Sequence, residues 1–228
     1  MQDFSRVEPP SQTAFPMARA GLPFLYAAAF ATAIFALLGM KAAALAGLLA
    51  AFCVCGFFRD PDRVVPVGSQ ILVSPADGRV VSVERLTSTP FYQGPCIRIG
   101  IFMSVFNVHV NRVPHEGRIV DIRYHTGRFL PANRGKASTQ NEHNAILLET
   151  EAGLIICFVQ IAGLIARRII CSLQNGQHVL RGQRCGLICF GSRVDVYLPE
   201  GSQVIVVTGS RVKGGTSVLG HLPEAGNI

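Results

Sequence analysis

Four polar clusters in this sequence contain side chains able to do chemistry. His109 lies in Asn107-Val108-His109-Val110-Asn111-Arg112, where it alternates with Asn107 and Asn111. An imidazole titrates near neutrality, so it can accept or return a proton at working pH. A lone histidine in a strand-like run is also an ordinary satisfied core or surface residue. Asp77 sits in Ser74-Pro75-Ala76-Asp77-Gly78. Asp before Gly is a turn pair, because the carboxylate caps its own backbone and glycine tolerates positive φ. Arg167-Arg168 is either a solvated pair or a fork that holds a phosphate or carboxylate. Gly191-Ser192, in Phe190-Gly191-Ser192-Arg193-Val194-Asp195, reads as a strand-edge glycine before a small polar residue. It has chemical meaning only if a base takes the hydroxyl proton, since a serine hydroxyl is a weak nucleophile.

These clusters are carried by a chain of two characters. Apolar residues make up 49% of it and charged residues 15%, and the shortage of charge is concentrated near the N-terminus. Residues 1–20 are polar, contain proline and are expected to be poorly ordered. Between Leu22 and Phe58 only Lys41 is charged, so Leu22–Met40 and Ala42–Phe58 read as two apolar helices forming a hairpin over residues 21–58. About 20 apolar residues span a bilayer as a helix, and the alanines with Gly47 would let two such helices approach closely. The apolar stretch is too long for one signal-peptide core. If both helices span, the termini of the hairpin lie on one side. Arg6, Arg19, Arg59 and Arg63 allow that side to be cytoplasmic. Helices that dip into one leaflet fit the same pattern.

Beyond the charged, proline-broken segment 59–63 the pattern changes to short runs rich in Val, Ile and Phe. Strands are expected at 71–73, 79–83, 96–102, 118–124, 145–149, 154–161, 187–190, 193–198 and 203–208. Short helices are expected near 131–136 or 105–108. Asp77-Gly78 and Lys213-Gly214-Gly215 mark tight turns. The fold class is therefore mainly β (α+β), with an apolar helical hairpin ahead of a β-rich domain over residues 59–228.

A net charge of +7 and a pI of about 9.3 suit anionic lipid or nucleic acid. The basic residues form no long run and are not interleaved with aromatics, so no nucleic-acid partner is expected. The seven cysteines are scattered and lack zinc-site spacing. They read as small buried hydrophobes, with no metal expected.

Taken in order, the signatures resemble the phosphatidylserine decarboxylases, in their short bacterial form, from Phe57 to the C-terminus. The residues concerned are Phe57-Phe58-Arg59-Asp60-Pro61, Ser74-Pro75-Ala76-Asp77-Gly78, Phe102-Met103-Ser104 with Asn107 to Arg112, Gln160-Ile161-Ala162-Gly163 with Ala166-Arg167-Arg168, and Phe190-Gly191-Ser192-Arg193. Each is weak alone; five in sequence are specific.

The resemblance implies a self-processing enzyme. Ser192 Oγ attacks the Gly191 carbonyl, and the resulting ester is split by β-elimination. The dehydroalanine left at 192 becomes a covalent pyruvate (pyruvoyl) group. The products are a β chain of residues 1–191 and an α chain of residues 192–228, held together as a heterodimer, with room for a higher oligomer. His109 is the implied base, oriented by Asp77. The pyruvoyl group at 192 forms a Schiff base with the amine of phosphatidylserine and accepts the electron pair as CO₂ leaves. By charge type, and not by the resemblance, Arg167 or Arg168 would hold the lipid phosphate. Phosphatidylserine in the membrane is the implied substrate, and the cytoplasmic face of the cell membrane the implied location. Longer members carry a second histidine three residues after the first; here that position is Arg112, which stays protonated and cannot be a base. Gly215-Thr216-Ser217 is a second Gly-hydroxyl site, set aside because it resembles the family's terminal turn.

Three other readings compete. One is a membrane-anchored β domain with no enzymatic activity. Another is a carrier domain built around Lys213, which leaves the earlier signatures unexplained. The third keeps the chemistry and changes the phosphoserine lipid.

Overall fold

Pro23 near the start of the first helix and Gly39 after its end bracket an uninterrupted apolar run, the arrangement that proline and glycine favour at helix ends. The structure is a computed structural model that describes residues 4–5, 17–130, 140–163, 168–189 and 191–223. It divides into two units, Pro9–Asp62 and Met1–Glu8 with Arg63–Ile228.

In the first unit a 3-10 turn, Arg19–Gly21, leads into α1 (Leu22–Leu37), and Gly39 at φ 71° reverses the chain into α2 (Lys41–Phe57). The Thr32 hydroxyl donates to the Ala28 carbonyl at 2.7 Å. Thr32 also stands against Gly47, where an added Cβ would collide with it. Small residues thus set the helix spacing, as expected for helices packed in lipid. Phe30, Leu37, Leu45 and Phe52 are exposed, so the pair is apolar on its outside. Arg19–Leu37 is long and apolar enough to cross a membrane, and α2 is shorter.

Apart from a helical residue at Gln140, the described residues of the second unit form turns and strands. In order they are β1 (Phe4–Ser5), β2 (Val65–Pro66), β3 (Ile71–Val73), β4 (Gly78–Leu86), β5 (Cys96–Met103), β6 (Val110–Arg112), β7 (Gly117–His125) and β8 (His143–Glu149). Then follow β9 (Ile155–Ile161), β10 (Ile169–Cys171), β11 (His178–Val179), β12 (Arg184–Ile188), β13 (Ser192–Pro199), β14 (Gln203–Val204), β15 (Arg211–Val212) and β16 (Val218–His221). An eight-stranded antiparallel sheet runs β11-β7-β8-β9-β13-β5-β4-β15. Two three-stranded sheets run β10-β12-β6 and β14-β16-β3. One face of the large sheet (Ile99, Ile101, Ile146, Phe158, Val194, Val196) shares a single buried core with Leu72, Ile188 and Leu219 of the small sheets. Residues of opposite parity form a second cluster on the other face, with Cys157, Val159, Ile161 and Tyr197 under Phe91 of the β4–β5 loop.

The mainly β class is found as expected, with differences in detail. Strand β14 ends at Val204 rather than continuing to 208, because Ile205 to Val207 run into the turn closed by Val207 and Ser210. Residues 105–108 form a turn, not a helix: the Asn107 side chain accepts from the Ser104 amide at 2.8 Å and its hydroxyl at 2.7 Å. Phe4–Ser5 pairs with Val65–Pro66, although residues 1–20 carry no strand pattern. The helix expected near 131–136 lies outside the described residues. Cys96, Cys157 and Cys185 are buried as expected of small hydrophobes, whereas Cys53 is exposed on α2.

Candidate active site

Strand β13 lies at the centre of the large sheet. Seven of its eight residues are buried, because β5 bonds one edge, β9 the other, and both faces are covered. It begins at Ser192, which pairs with Met103 at the end of β5. The residue before it, Gly191, has φ 62°. An added Cβ there would meet nothing within 4 Å, so backbone conformation rather than space favours glycine at this position. The chain thus enters the strand through a left-handed residue and buries Ser192 completely at the next one.

Alternation along β13 puts Ser192 on the core face, where its Oγ lies 3.5 Å from the Met103 sulfur. The Asn111 side-chain amide approaches the same sulfur at 3.6 Å. The Asn111 carbonyl oxygen accepts from Gln160 Nε2 at 3.0 Å, and the Gln160 carbonyl oxygen accepts from Asn144 Nδ2 at 3.1 Å. Ser192, Asn111, Gln160 and Asn144 therefore form a buried neutral ladder from four strands, with Met103 as its bridge.

His109 stands one residue before β6 and is buried. Its carbonyl accepts from the Ile188 amide at 3.4 Å, which extends the β6–β12 ladder and places His109 on the same side of the chain as Asn111. Arg112 points the other way. Its Nη1 donates to the Gly182 carbonyl at 2.8 Å, and its side chain packs where a Cβ on Gly215 would sit. A histidine at 112 would leave from the opposite side of the strand, and the polar side chain that shares the His109 side is Asn111. His115 faces the carbonyls of Glu116 at 2.7 Å and Ser69 at 3.1 Å.

Asp77 is held by two partners. Arg63 Nη2 donates to both carboxylate oxygens, at 2.9 and 3.1 Å, and the Gly214 amide donates to Oδ1 at 2.7 Å. The carboxylate therefore joins the 74–78 turn to the C-terminal turn at 213–217. In that turn the Thr216 and Ser217 amides both donate to the Lys213 carbonyl, so Gly215-Thr216-Ser217 forms a closed turn, as its resemblance to a terminal turn implied.

Arg168 is exposed, and its carbonyl accepts from the Cys189 amide at 3.2 Å, two residues before Gly191. Burial pushes the Cys189 thiol above its ordinary range, and the Arg168 charge pulls it partly back. The guanidinium is thus close to the approach to Gly191. Arg167 and Phe190 lie outside the described residues. A cavity of about 1100 Å³ lined by Arg85, Phe91, Tyr92, Arg123 and Glu200 contains none of the predicted site residues.

The opposite face of β13 is charged. Arg193 and Asp195 form a buried ion pair, and Arg193 Nη2 donates to Ser82 Oγ at 3.1 Å. Gly100 leaves the room that the Arg193 guanidinium fills.

The phosphatidylserine decarboxylase sequence profile matches residues 49–220. The chain belongs to the phosphatidylserine decarboxylase family. The phosphatidylserine decarboxylase proenzyme of Syntrophus aciditrophicus is 47% identical over 206 residues, covering 90% of this chain and 96% of that protein. The proenzyme of Desulfotalea psychrophila is 43% identical over 211 residues, covering 92% and 99%. The proenzyme of Pelobacter propionicus is 45% identical over 214 residues, covering 91% and 97%. Met103, Asn111 and Gln160 stand within the family signatures of this decarboxylase without an expected role, and Asn144 stands outside those signatures. The available signal was an amide at strand positions whose alternation faces a core, since a buried amide must find a partner.

Proposed function

We propose that this chain is a proenzyme that cuts itself between Gly191 and Ser192, converts Ser192 to a pyruvoyl group, and then decarboxylates phosphatidylserine to phosphatidylethanolamine and CO₂. The observation that carries the reading is the left-handed Gly191 placed directly before a fully buried Ser192 at the head of a central strand. Membership of a family whose relatives are named proenzymes supports it.

In maturation His109 takes the hydroxyl proton and Ser192 Oγ bonds to the Gly191 carbon. The peptide nitrogen then leaves as an amine, taking that proton from His109, and an ester remains. Loss of the Ser192 Cα proton expels the Gly191 carboxylate, and hydrolysis of the resulting dehydroalanine releases ammonia. Gly191 presents no side chain to the attacking oxygen. Asp77 is the proposed orienting group for His109. Its carboxylate offers about four lone-pair positions, of which Arg63 and Gly214 take three.

The residues present fit the pyruvoyl group, because Ser192 supplies its carbons and the ladder behind it is buried and uncharged. When formed, the group supplies an electron sink for the pair left as CO₂ departs. The cut does not free the segment 192–228: β13 is bonded on both edges, β15 pairs with β4, and β16 pairs with β3. Arg168, exposed beside the approach to Gly191, is the proposed phosphate ligand, with Arg167 as its neighbour in sequence. His109 returns a proton to the product carbon.

The apolar helices serve the same end. Each buried CH₂ of the substrate contributes about 0.8 kcal/mol, so a two-chain lipid stays in its bilayer and the enzyme must come to it. We assign residues 21–58 as the membrane anchor and 59–228 as the catalytic domain, on the cytoplasmic face.

The test is an intact-mass spectrum of the purified chain beside Ser192→Ala. Two chains split after Gly191 in the wild type only, with the C-terminal one lighter by one ammonia, are expected. An uncut chain in both would end the self-processing reading and favour an anchored β domain without enzymatic activity.

A further inference from the structure

The ladder behind Ser192 has a direction. Asn144 donates to Gln160, Gln160 donates to Asn111, and the Asn111 N–H is thereby turned toward the Met103 sulfur. A carboxamide in isolation can flip; here Gln160 Nε2 occupies the Asn111 carbonyl oxygen and fixes the nitrogen on the Met103 side. The acceptor that the N–H meets there is a thioether, which is a weak one. Ser192 Oγ rests on the same sulfur. Two donors therefore share one poor acceptor beside the bond proposed to be cut, and both have more to gain from an oxygen that becomes negative. All the ladder residues are at most 2% exposed, so no solvent reorganisation accompanies such a gain.

We infer that Asn111 is the oxyanion donor of self-cleavage: its side-chain N–H binds the Gly191 oxygen as Ser192 Oγ adds to the Gly191 carbon. In that step the new C–O bond forms, the carbonyl π pair moves onto the Gly191 oxygen, and the hydroxyl proton goes to His109. The shift of the Ser192 hydroxyl off Met103 leaves the Asn111 N–H facing the reaction. Gln160 and Asn144 act through Asn111 and are positioning residues. The inference rests on the self-processing reading above, and its test separates the two.

Asn111→Asp keeps the shape and the acceptor toward Gln160 and removes the donor. The purified variant, folded by its melting transition, is followed by intact mass against time, with and without hydroxylamine, which cleaves an ester once formed. Cleavage about a hundredfold slower than wild type is expected, the usual cost of one lost oxyanion donor. Hydroxylamine is not expected to restore it, because the block precedes the ester. A wild-type rate in folded Asn111→Asp, or a block that hydroxylamine relieves, overturns the assignment. Gln160→Glu is the independent arm. The glutamate accepts where glutamine donated, so the Asn111 amide turns round and its N–H leaves the site. The same slowing is expected, and a wild-type rate in it overturns the assignment even if Asn111→Asp fails to fold. An uncut wild-type chain would instead remove the self-processing reading itself.

Discussion

The two faces of β13 solve the problem of buried polarity in opposite ways. On one, Ser192 joins neutral amides that hand a single donor toward the reacting residue. On the other, Arg193 and Asp195 neutralise each other, and Ser82 accepts from the guanidinium. A neutral ladder loses little when one donor changes partner, which suits a place where bonds must break. A buried ion pair is costly to disturb, because either charge left in a low dielectric is penalised by several kcal/mol. Burial on that face also pushes the Cys157 thiol up to about 12 and the Tyr197 hydroxyl higher still, so both stay protonated. The strand thus has a reactive side and an anchoring side, and the anchor is next in sequence to the residue proposed to become a chain end.

Breaking the anchor should cost most. Arg193→Met removes the guanidinium from which Asp195 accepts, and a loss of about 3–5 kcal/mol in denaturant unfolding is expected. Adding Asp195→Leu should recover much of it, and a single variant as stable as wild type would show that the charged face does not anchor the strand. On the neutral face, Gln160→Leu leaves the Asn144 and Asn111 amides short of a partner and should cost about 1–3 kcal/mol by the same measurement. A loss as large as that of Arg193→Met would erase the contrast. Gly191→Ala has room for its methyl, so only the left-handed backbone is penalised, by about 1–2 kcal/mol, and processing should slow while the fold persists.

The smallest effect lies outside both faces and serves as a control on charge. Burial raises the Glu116 carboxyl, but the Arg181 hydrogen bond and the nearby His115 and Arg181 charges outweigh it, leaving the group below the usual carboxylate range. Its folded pKa is depressed, so its stabilisation is present above the unfolded value of about 4.3 and is lost as pH falls through the folded one. Melting temperatures taken downward from pH 6 should fall less steeply in Glu116→Gln than in wild type. Equal slopes would mean that the Glu116–Arg181 pair, partly open to solvent, contributes nothing.

Much of this was legible in the sequence. Uncharged length gave the two helices, alternation gave the long strands β4, β5, β7, β8, β9 and β13, and the order of short signatures gave the family. The short strands β2, β6, β10, β11, β15 and β16, of two to four residues, were not legible, because their pairing is set by distant partners rather than by any local period. Strand β6 matters most of these, since it decides which way its residues face.

The sequence by itself determined the chemistry on offer: a glycine before a serine, a histidine, an aspartate in a turn, and adjacent arginines. The types are local facts, and so is glycine's tolerance of φ 62°. Only the tertiary structure decided that Asp77 is tied to Arg63 and Gly214, that Arg112 faces away from the His109 side, and that Asn111, Gln160 and Asn144 close into one ladder behind Ser192. Those partners come from strands far apart along the chain. A hydrogen bond between them exists only once the sheets have stacked and the amides have no water left to choose instead.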